Sequence, residues 1–231
     1  MAYSTLSIRT TQNEIFSGYL APAKNGKGPG IVMVQEIFGI NKGIREAADR
    51  FAKDGYTVLA PDLFWRFKPN IELTETGEDL AEAYDYYHRF NVEQGISDLT
   101  QAVKTLRQHP ACDGKVAILG FCLGGKLAYL TAAQQVANAA VAFYGAGIVN
   151  HLNLAKTIRC PLLMHFAEKD ESISADQVEA ICTAFTGRKE VEIEVYPGVG
   201  HAFYNHTRAA YDASAAELAH QKTVEFLKRV L

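Results

Sequence analysis

The sequence predicts an α/β fold, with a mostly parallel central sheet covered by helices on both faces. Two observations indicate it. Short apolar runs, such as residues 31–34, are typical of strands buried on both faces. Amphipathic helical segments alternate with these runs along most of the chain. The 231 residues are 48% hydrophobic and carry no repeat or low-complexity linker, so we expect a single domain over residues 1–231.

The first half of the chain begins with two segments, residues 4–10 and 14–22, that predict an antiparallel strand pair. A helix is expected after the next strand, with Asn41 as its N-cap and Gly55 at its end. Its apolar residues fall at i, i+3, i+4 and i+7, which places them on one face: Ile44, Ala47, Ala48 and Phe51. Two further helices are expected before Pro110.

The second half continues the alternation. A strand over residues 115–121 leads into a helix, and a strand over residues 139–145 follows. Ser174 and Gln177 form a capping-box pattern at the start of another helix, whose apolar face includes Cys182. The last helix is expected to begin near Ser214, with Glu217 completing a second capping box.

Composition excludes several classes of protein. The net charge of -3 and the sequence pI near 6.2, without a long basic run, argue against a nucleic-acid or anionic-membrane partner. The four cysteines are too widely spaced for a zinc or iron–sulfur site. The first residues do not resemble a signal peptide, and no segment is apolar enough to span a membrane. We therefore expect a cytoplasmic protein with reduced cysteines, and we take a monomer as the default expectation.

Residues 120–124, GFCLG, have the form G-x-[S/C]-x-G between a strand and a helix. In α/β-hydrolases this pattern is the nucleophile elbow, a strained turn that presents the nucleophile. The start of the helix favours a thiolate at Cys122, and the N–H of Leu123 could stabilise an oxyanion. The alternative interpretation is that Cys122 is a small buried residue and that the glycines serve only packing.

The remaining members of a catalytic triad are predicted from chain order. The order nucleophile, acid, histidine matches Cys122, Asp170 and His201, and the last two each follow a predicted strand. His201 would take the thiol proton, and Asp170 would hold the imidazole in the required tautomer. Glu168 and Glu171 are the competing acids, and both are expected to be solvated loop residues.

Other reactive residues are given weaker roles. Glu36 ends an apolar run, where a carboxylate is unfavourable without a partner. It is either a salt-bridged structural acid or a group that contacts the nucleophile, and Ile37 follows where the second oxyanion N–H arises in this fold. His165 is expected to be a core residue. The other three cysteines are expected to be structural: Cys112, Cys160 and Cys182.

Five motifs together resemble the dienelactone hydrolase family of the α/β-hydrolase fold: QEIFGIN, LAPDLF, GFCLGGKLA, EKDESIS and GVGHAF. The resemblance runs from about residue 12 to 230. It implies hydrolysis of an ester or lactone through an acyl-thioester, with no cofactor or metal. It also implies a role for each of several residues: the triad Cys122, His201 and Asp170, thiolate formation by Glu36, an oxyanion hole at Ile37 and Leu123, and a substrate site with Tyr84, Phe38 and Asn205.

The chain departs from that family at two positions. Leu80 and Asn205 stand where dienelactone-specific members carry arginines that hold the substrate carboxylate. The tyrosines and the run 64–67 indicate a more apolar pocket, so we expect neutral esters to be favoured over the anionic dienelactone. Two alternatives stay open: a non-catalytic binding module of the same fold, and a hydrolase of thioesters or activated phosphoesters.

Overall fold

The computed structural model describes residues 4–231, which divide into two compact units on either side of the bond between Val116 and Ala117. Within these residues, eight mostly parallel strands alternate with helices along the chain. The predicted α/β fold is therefore confirmed, whereas the single-domain assignment stays a prediction. No helix in the described range is long and apolar enough to cross a bilayer.

The described part of the first unit contains four complete strands and three α-helices. Their bounds in chain order are β1 Thr5–Arg9, β2 Ile15–Ala21, β3 Gly28–Val34, α1 Lys42–Lys53, β4 Thr57–Pro61, α2 Gly77–Arg89 and α3 Val92–Arg107. The strands lie in the order β1-β2-β4-β3. The β1–β2 and β2–β4 pairs are antiparallel, and the β3–β4 pair is parallel. The predicted opening antiparallel pair is confirmed.

The helix α1 has the ends that its sequence predicts. The Asn41 side chain accepts a hydrogen bond from the backbone N–H of Ile44 at 3.2 Å, which satisfies one of the free donors of the first turn. Just past the helix, Gly55 takes a left-handed conformation with φ of +102°. Glycine adopts that conformation without the steric penalty of a side chain, so it ends the helix cleanly.

The aromatic run 64–67 has a packing role in this unit. Trp65 stacks on Phe16 with ring centroids 5.3 Å apart and donates its indole N–H to Asp98 at 3.1 Å. Arg66 pairs with the same carboxylate and lies over the Trp65 ring. Because Asp98 is buried, these donors compensate the loss of its hydration. The run therefore anchors α3, which gives no support to the predicted apolar substrate pocket.

The second unit is a parallel sheet with helices. Strand β5, Cys112–Phe121, passes through the boundary between the units. The other elements are α4 Leu123–Ala132, β6 Ala139–Phe143, a 3-10 helix Ile148–Leu154, β7 Leu162–Ala167, α5 Ala175–Ala184, β8 Val191–Tyr196 and α6 Ala213–Val230. The order is β5-β6-β7-β8, with parallel pairing throughout. Parallel strands bring their carboxyl ends to one edge, where ligands bind in such folds.

The helix termini of this unit agree with the sequence in one case and differ in another. The capping box of Ser174 and Gln177 is formed at the start of α5. Helix α6 begins at Ala213, close to the predicted start near Ser214, but the predicted capping box with Glu217 is wrong, because Asp212 is the N-cap. The Asp212 carboxylate accepts from the N–H of Ala215 at 2.8 Å. Aspartate is an effective N-cap, and Ser214 lies within the first turn of the helix.

The cysteines outside the elbow occupy different environments. Cys112 is buried, Cys160 is half-buried, and Cys182 is exposed on α5. The assignment of Cys182 to an apolar helix face is therefore wrong. Burial raises the pKa of the Cys160 thiol to about 11, which keeps that group in its unreactive form at neutral pH.

His165 is a core residue, as predicted, and links β7 to β8 and α6. The Thr223 hydroxyl donates to the carbonyl of Ala219 at 2.8 Å, so it accepts from Nε2 of His165 at 2.9 Å. The other ring nitrogen, Nδ1, then accepts from the Tyr196 hydroxyl at 2.9 Å. Both ring positions are used by a neutral imidazole. Burial, and secondarily the charge of Lys222, lowers the pKa of His165 to about 3.

Replacing His165 with glutamine should weaken the acid sensitivity of the fold. In the unfolded chain His165 binds a proton below about pH 6.5, but in the fold it resists protonation until about pH 3. Its contribution to stability is therefore complete above pH 6.5 and falls as pH drops toward 3. Urea unfolding across this range should show a smaller pH slope in His165→Gln, by up to about one proton.

The matched control for this measurement is His206→Gln, because His206 is exposed. It should leave the slope unchanged. An identical pH slope in His165→Gln and in the unmodified chain would contradict the assignment of His165 as a neutral, buried imidazole.

Candidate active site

Cys122 lies at a strained strand-to-helix turn. It follows the last residue of β5 and is the N-cap of α4. Its backbone has φ of 54° and ψ of -115°, in the region that glycine favours. A cysteine there carries strain of about 1–3 kcal/mol, which packing around the turn must hold in place. Such a conformation is typical of a nucleophile elbow.

The glycines of the motif allow this turn to form. A side chain on Gly120 would collide with the backbone of Gly124, and one on Gly125 would collide with the carbonyl of Phe143. The same Phe143 carbonyl accepts from the N–H of Cys122 at 3.0 Å. Helix α4 therefore starts almost in contact with β5 and β6. The spacing of the glycines is required by this close approach, whatever role Cys122 has.

Asp170 and His201 form a hydrogen-bonded pair in the same unit. Nδ1 of His201 lies 2.8 Å from Oδ2 of Asp170, whose side chain is fully buried. The other oxygen of Asp170 accepts from the N–H groups of Ser172 at 2.8 Å and Ile173 at 3.1 Å. The carboxylate is thus fixed by the loop after β7, and it fixes the imidazole in turn.

His201 also interacts with Cys122. Burial by itself would lower the pKa of His201, but hydrogen bonds to Asp170 and Cys122, together with their negative charges, raise it to about 10. An imidazolium is therefore favoured when the sulfur carries a negative charge. This unit brings together the three residues that the chain order singled out. Such an arrangement can perform nucleophilic chemistry with a histidine as proton carrier.

The two competing acids have surroundings that differ from those of Asp170. Glu168 and Glu171 are both exposed. Glu168 accepts from the backbone N–H of Gly198 at 2.7 Å, which tethers the loop after β8. Of the three carboxylates between residues 168 and 171, Asp170 is the buried one and the one bonded to His201.

Tyr144 adjoins this group and was missed by sequence reasoning. It follows β6 with φ of 37°, is fully buried, and presents its ring to His201 with centroids 5.0 Å apart in a T-shaped arrangement. Ala202, the residue after His201, also has a positive φ, of 66°. The position of Tyr144 at the carboxyl end of a parallel strand was the available signal, but a single tyrosine there is not distinctive.

The predicted site residues of the first unit have the following surroundings. Glu36 is completely buried after β3, and Ile37 and Phe38 beside it are buried as well. Tyr84 is on α2 with half of its surface exposed, and its ring lies near His88. The burial of Glu36 agrees with the expectation that it sits at a buried strand end.

Asn205, in the second unit, is also buried and holds a local turn. Its side-chain oxygen accepts from the backbone N–H of Thr207 at 3.1 Å and from the hydroxyl of the same residue at 2.8 Å.

Within residues 4–231, no cluster of three or more histidine, cysteine or acidic side chains is arranged to hold a metal ion.

Comparison with known proteins identifies the relatives of the chain. The family model described as the dienelactone hydrolase family matches residues 16–231. A carboxymethylenebutenolidase of Pseudomonas sp. strain P51 is 33% identical over 226 residues, covering 97% of this chain and 94% of the relative.

Solved structures extend the comparison. A candidate dienelactone hydrolase from Klebsiella pneumoniae is 30% identical with a TM-score of 0.84, covering 98% of each chain. The dienelactone hydrolase from Anabaena variabilis, 17% identical with a TM-score of 0.75 over 100% of this chain and 98% of its own, shares the fold. The predicted resemblance is confirmed: the chain is a hydrolase that belongs to the dienelactone hydrolase family.

Proposed function

We propose that the protein hydrolyses carboxylic esters or lactones by a covalent mechanism with Cys122 as the nucleophile. The observation that carries this proposal is the chain of contacts from buried Asp170 through His201 to Cys122, which lies on a strained elbow. A small buried cysteine with a packing role would need neither the histidine nor its fixed carboxylate. The family supports hydrolysis, and the geometry supports this route.

The first half-reaction transfers the acyl group to sulfur. The Cys122 thiolate attacks the carbonyl carbon, and the carbonyl oxygen becomes an oxyanion. Collapse of this intermediate forms the thioester and expels an alkoxide, which takes a proton from the His201 imidazolium. In a lactone, the expelled oxygen stays attached to the acyl chain as the ring opens.

The second half-reaction needs His201 as a base. Two of the causes that raise the pKa of His201 come from Cys122: the hydrogen bond and the negative charge of the sulfur. Both disappear when the sulfur is acylated, so the pKa of His201 falls and the neutral imidazole becomes available. It removes a proton from water, which attacks the thioester, and the released sulfur regains its charge as the carboxylic acid leaves.

The oxyanion is stabilised by the beginning of α4. Leu123 is the first residue of that helix, and backbone N–H groups of a first turn have no acceptor within the helix. The helix dipole adds a partial positive charge at the same place. The family resemblance assigns the second donor to Ile37 and a role in thiolate formation to Glu36, and both assignments remain part of the proposal.

Replacing Cys122 with alanine tests the proposal directly. With a neutral p-nitrophenyl ester and a neutral lactone, we expect kcat/KM to fall by at least ~10³-fold, because the acyl acceptor is removed. Mass spectrometry of the unmodified protein, quenched during turnover, should find the acyl group on the peptide that contains Cys122. Iodoacetamide or peroxide should abolish activity in parallel with modification of that cysteine.

The control variant is Cys182→Ala, since Cys182 is exposed on α5 and lies 60 residues after Cys122 in the chain. It should retain full activity. Undiminished turnover after complete labelling of Cys122 would rule out the nucleophile. No turnover of any ester by the unmodified protein would favour the binding-module alternative.

Substitution of Asp170 by asparagine should reduce kcat/KM by roughly 10²–10⁴-fold. Asparagine offers no negative charge to the imidazolium, and it can donate a hydrogen bond to Nδ1, which would invert the tautomer. The matched control is Glu171→Gln, which removes an exposed carboxylate one residue away and should change kcat/KM by less than about twofold. Equal losses in the two variants would contradict the assignment of Asp170.

Neutral substrates should be preferred over the anionic dienelactone. Leu80 and Asn205 replace the two arginines, and the side-chain oxygen of Asn205 is already hydrogen-bonded within its own turn. Arg89, near Leu80 in sequence, is bonded to Asp85 at 2.6 Å and lies over the Phe67 ring. Without an arginine that forms a bidentate ion pair, the substrate carboxylate loses its hydration on binding and gains little interaction energy in exchange.

The measurement is kcat/KM for a neutral p-nitrophenyl ester, a neutral lactone and the anionic dienelactone under identical conditions. We expect the dienelactone value to be at least about tenfold lower than that of the better neutral substrate. A dienelactone value equal to or above the neutral ones would overturn this preference.

A further inference from the structure

Lys126 lies one helical turn after Cys122 in α4. The backbone N–H of Lys126 donates to the carbonyl of Cys122 at 3.2 Å, which closes that first turn. Side chains four residues apart share one face of a helix, and helical side chains lean toward the N-terminus. Cys122 is the non-helical N-cap, so the helix does not set the direction of its side chain; Lys126 lies one turn, about 5.4 Å, along the axis from it, and its side chain leans toward the end of α4 where Cys122 stands.

The loop after β6 packs against Lys126. A side-chain carbon built on Gly145 would lie 2.9 Å from the backbone nitrogen of Lys126, and one built on Gly147 would lie 3.5 Å from its Cδ. The aliphatic stem thus runs along a glycine backbone. Lys126 is half-buried there, so its position is set by packing as well as by the helix.

Two effects oppose a positive charge at this place. Burial lowers the pKa of Lys126. The lysine also lies near the positive end of the α4 dipole, and the first turn of that helix contains no acidic residue. The charge of Cys122 acts in the opposite direction and raises the pKa of Lys126. The interaction is reciprocal, because a cation that is stabilised by a thiolate stabilises that thiolate equally.

We propose that Lys126 is a second cation for Cys122, which stabilises the negative charge on the sulfur and on the oxyanion that forms beside it. The proposal rests on the proposed function, since it takes the Cys122 thiolate as the reacting group. Lys126 exchanges no proton in the cycle, and its positive charge stays constant. His201 loses its charge when it protonates the leaving group, so Lys126 maintains a positive potential that His201 cannot.

The experiment compares two alkylating reagents that differ in charge. Iodoacetate is anionic and iodoacetamide is neutral, and both deliver the same methylene carbon to a thiolate. The ratio of their rate constants at Cys122, followed by peptide mass spectrometry at neutral pH, does not depend on the fraction of thiolate. It reports the electrostatic potential at the sulfur. The exposed Cys182 in the same sample provides an internal reference.

Lys126→Met keeps the aliphatic stem that packs along Gly147 and removes the charge. We expect the iodoacetate-to-iodoacetamide ratio at Cys122 to fall roughly 3- to 10-fold, with the Cys182 ratio unchanged. For a neutral ester, kcat/KM should fall about tenfold. Lys126→Arg should restore most of both values. The control is Lys228→Met, an equal charge change on the exposed face of α6, which should alter neither.

Each other outcome decides against the proposal. A Cys122 ratio that stays within about twofold in folded Lys126→Met would overturn it, as would an arginine variant no better than the methionine one. Circular dichroism checks the fold, and Lys126→Gln replaces the methionine variant if that one unfolds. If both uncharged variants unfold, Lys126 is assigned to packing. Activity that persists in Cys122→Ala would instead refute the proposed function, while the alkylation ratio at Cys122 remains measurable.

Discussion

The close approach of helix α4 to strands β5 and β6 is the constraint on which the rest of the site depends. Gly120 and Gly125 have no room for a side chain, and the N–H of Cys122 is bonded to the carbonyl of Phe143. This packing forces the turn between strand and helix into a left-handed conformation at Cys122. It also sets where the first N–H groups of α4 point. The position of the sulfur and the place where an oxyanion can be stabilised thus have one physical origin.

The parallel register of the second unit also sets the positions of Asp170 and His201. Phe121 pairs with Phe143, and Phe143 with His165, so successive strands end close to one line. Asp170 leaves β7 at this edge, and backbone N–H groups hold its carboxylate before it meets His201. A buried carboxylate and a partly buried imidazole would each be unfavourable alone, and each compensates the other.

Sequence reasoning recovered the features that are encoded by short, local patterns. The alternation of strands and helices, the Asn41 cap, the capping box of α5 and the elbow motif each depend on a few neighbouring residues. Chain order fitted three acids equally, and Asp170 was preferred because the two nearby glutamates were expected to be solvated; the burial of Asp170 and its hydrogen bond to His201 agree with that choice.

What sequence reasoning could not recover depends on competition or on distant contacts. Asp212 and Ser214 both suit an N-cap, and only the folded turn selects the first. Cys182 occupies a helix position that looks apolar but faces solvent. The ring of Tyr144 meets His201 across a gap of 57 residues in the chain, and nothing near Tyr144 in sequence indicates this contact. The packing role of the aromatic run 64–67 was not predicted, because the partner of Trp65 is Asp98, which lies 33 residues later in the chain.

Three residues that belong to or adjoin the proposed catalytic group have positive φ without being glycine: Cys122, Tyr144 and Ala202. At about 1–3 kcal/mol each, the conformational energy stored there is comparable to a sizeable part of the net stability of an ordinary domain. The surrounding sheet must supply that energy as the chain folds, so none has to be supplied when substrate arrives. A sequence selected only for thermal stability would relax these three positions first, and the geometry around the sulfur would be lost with the strain.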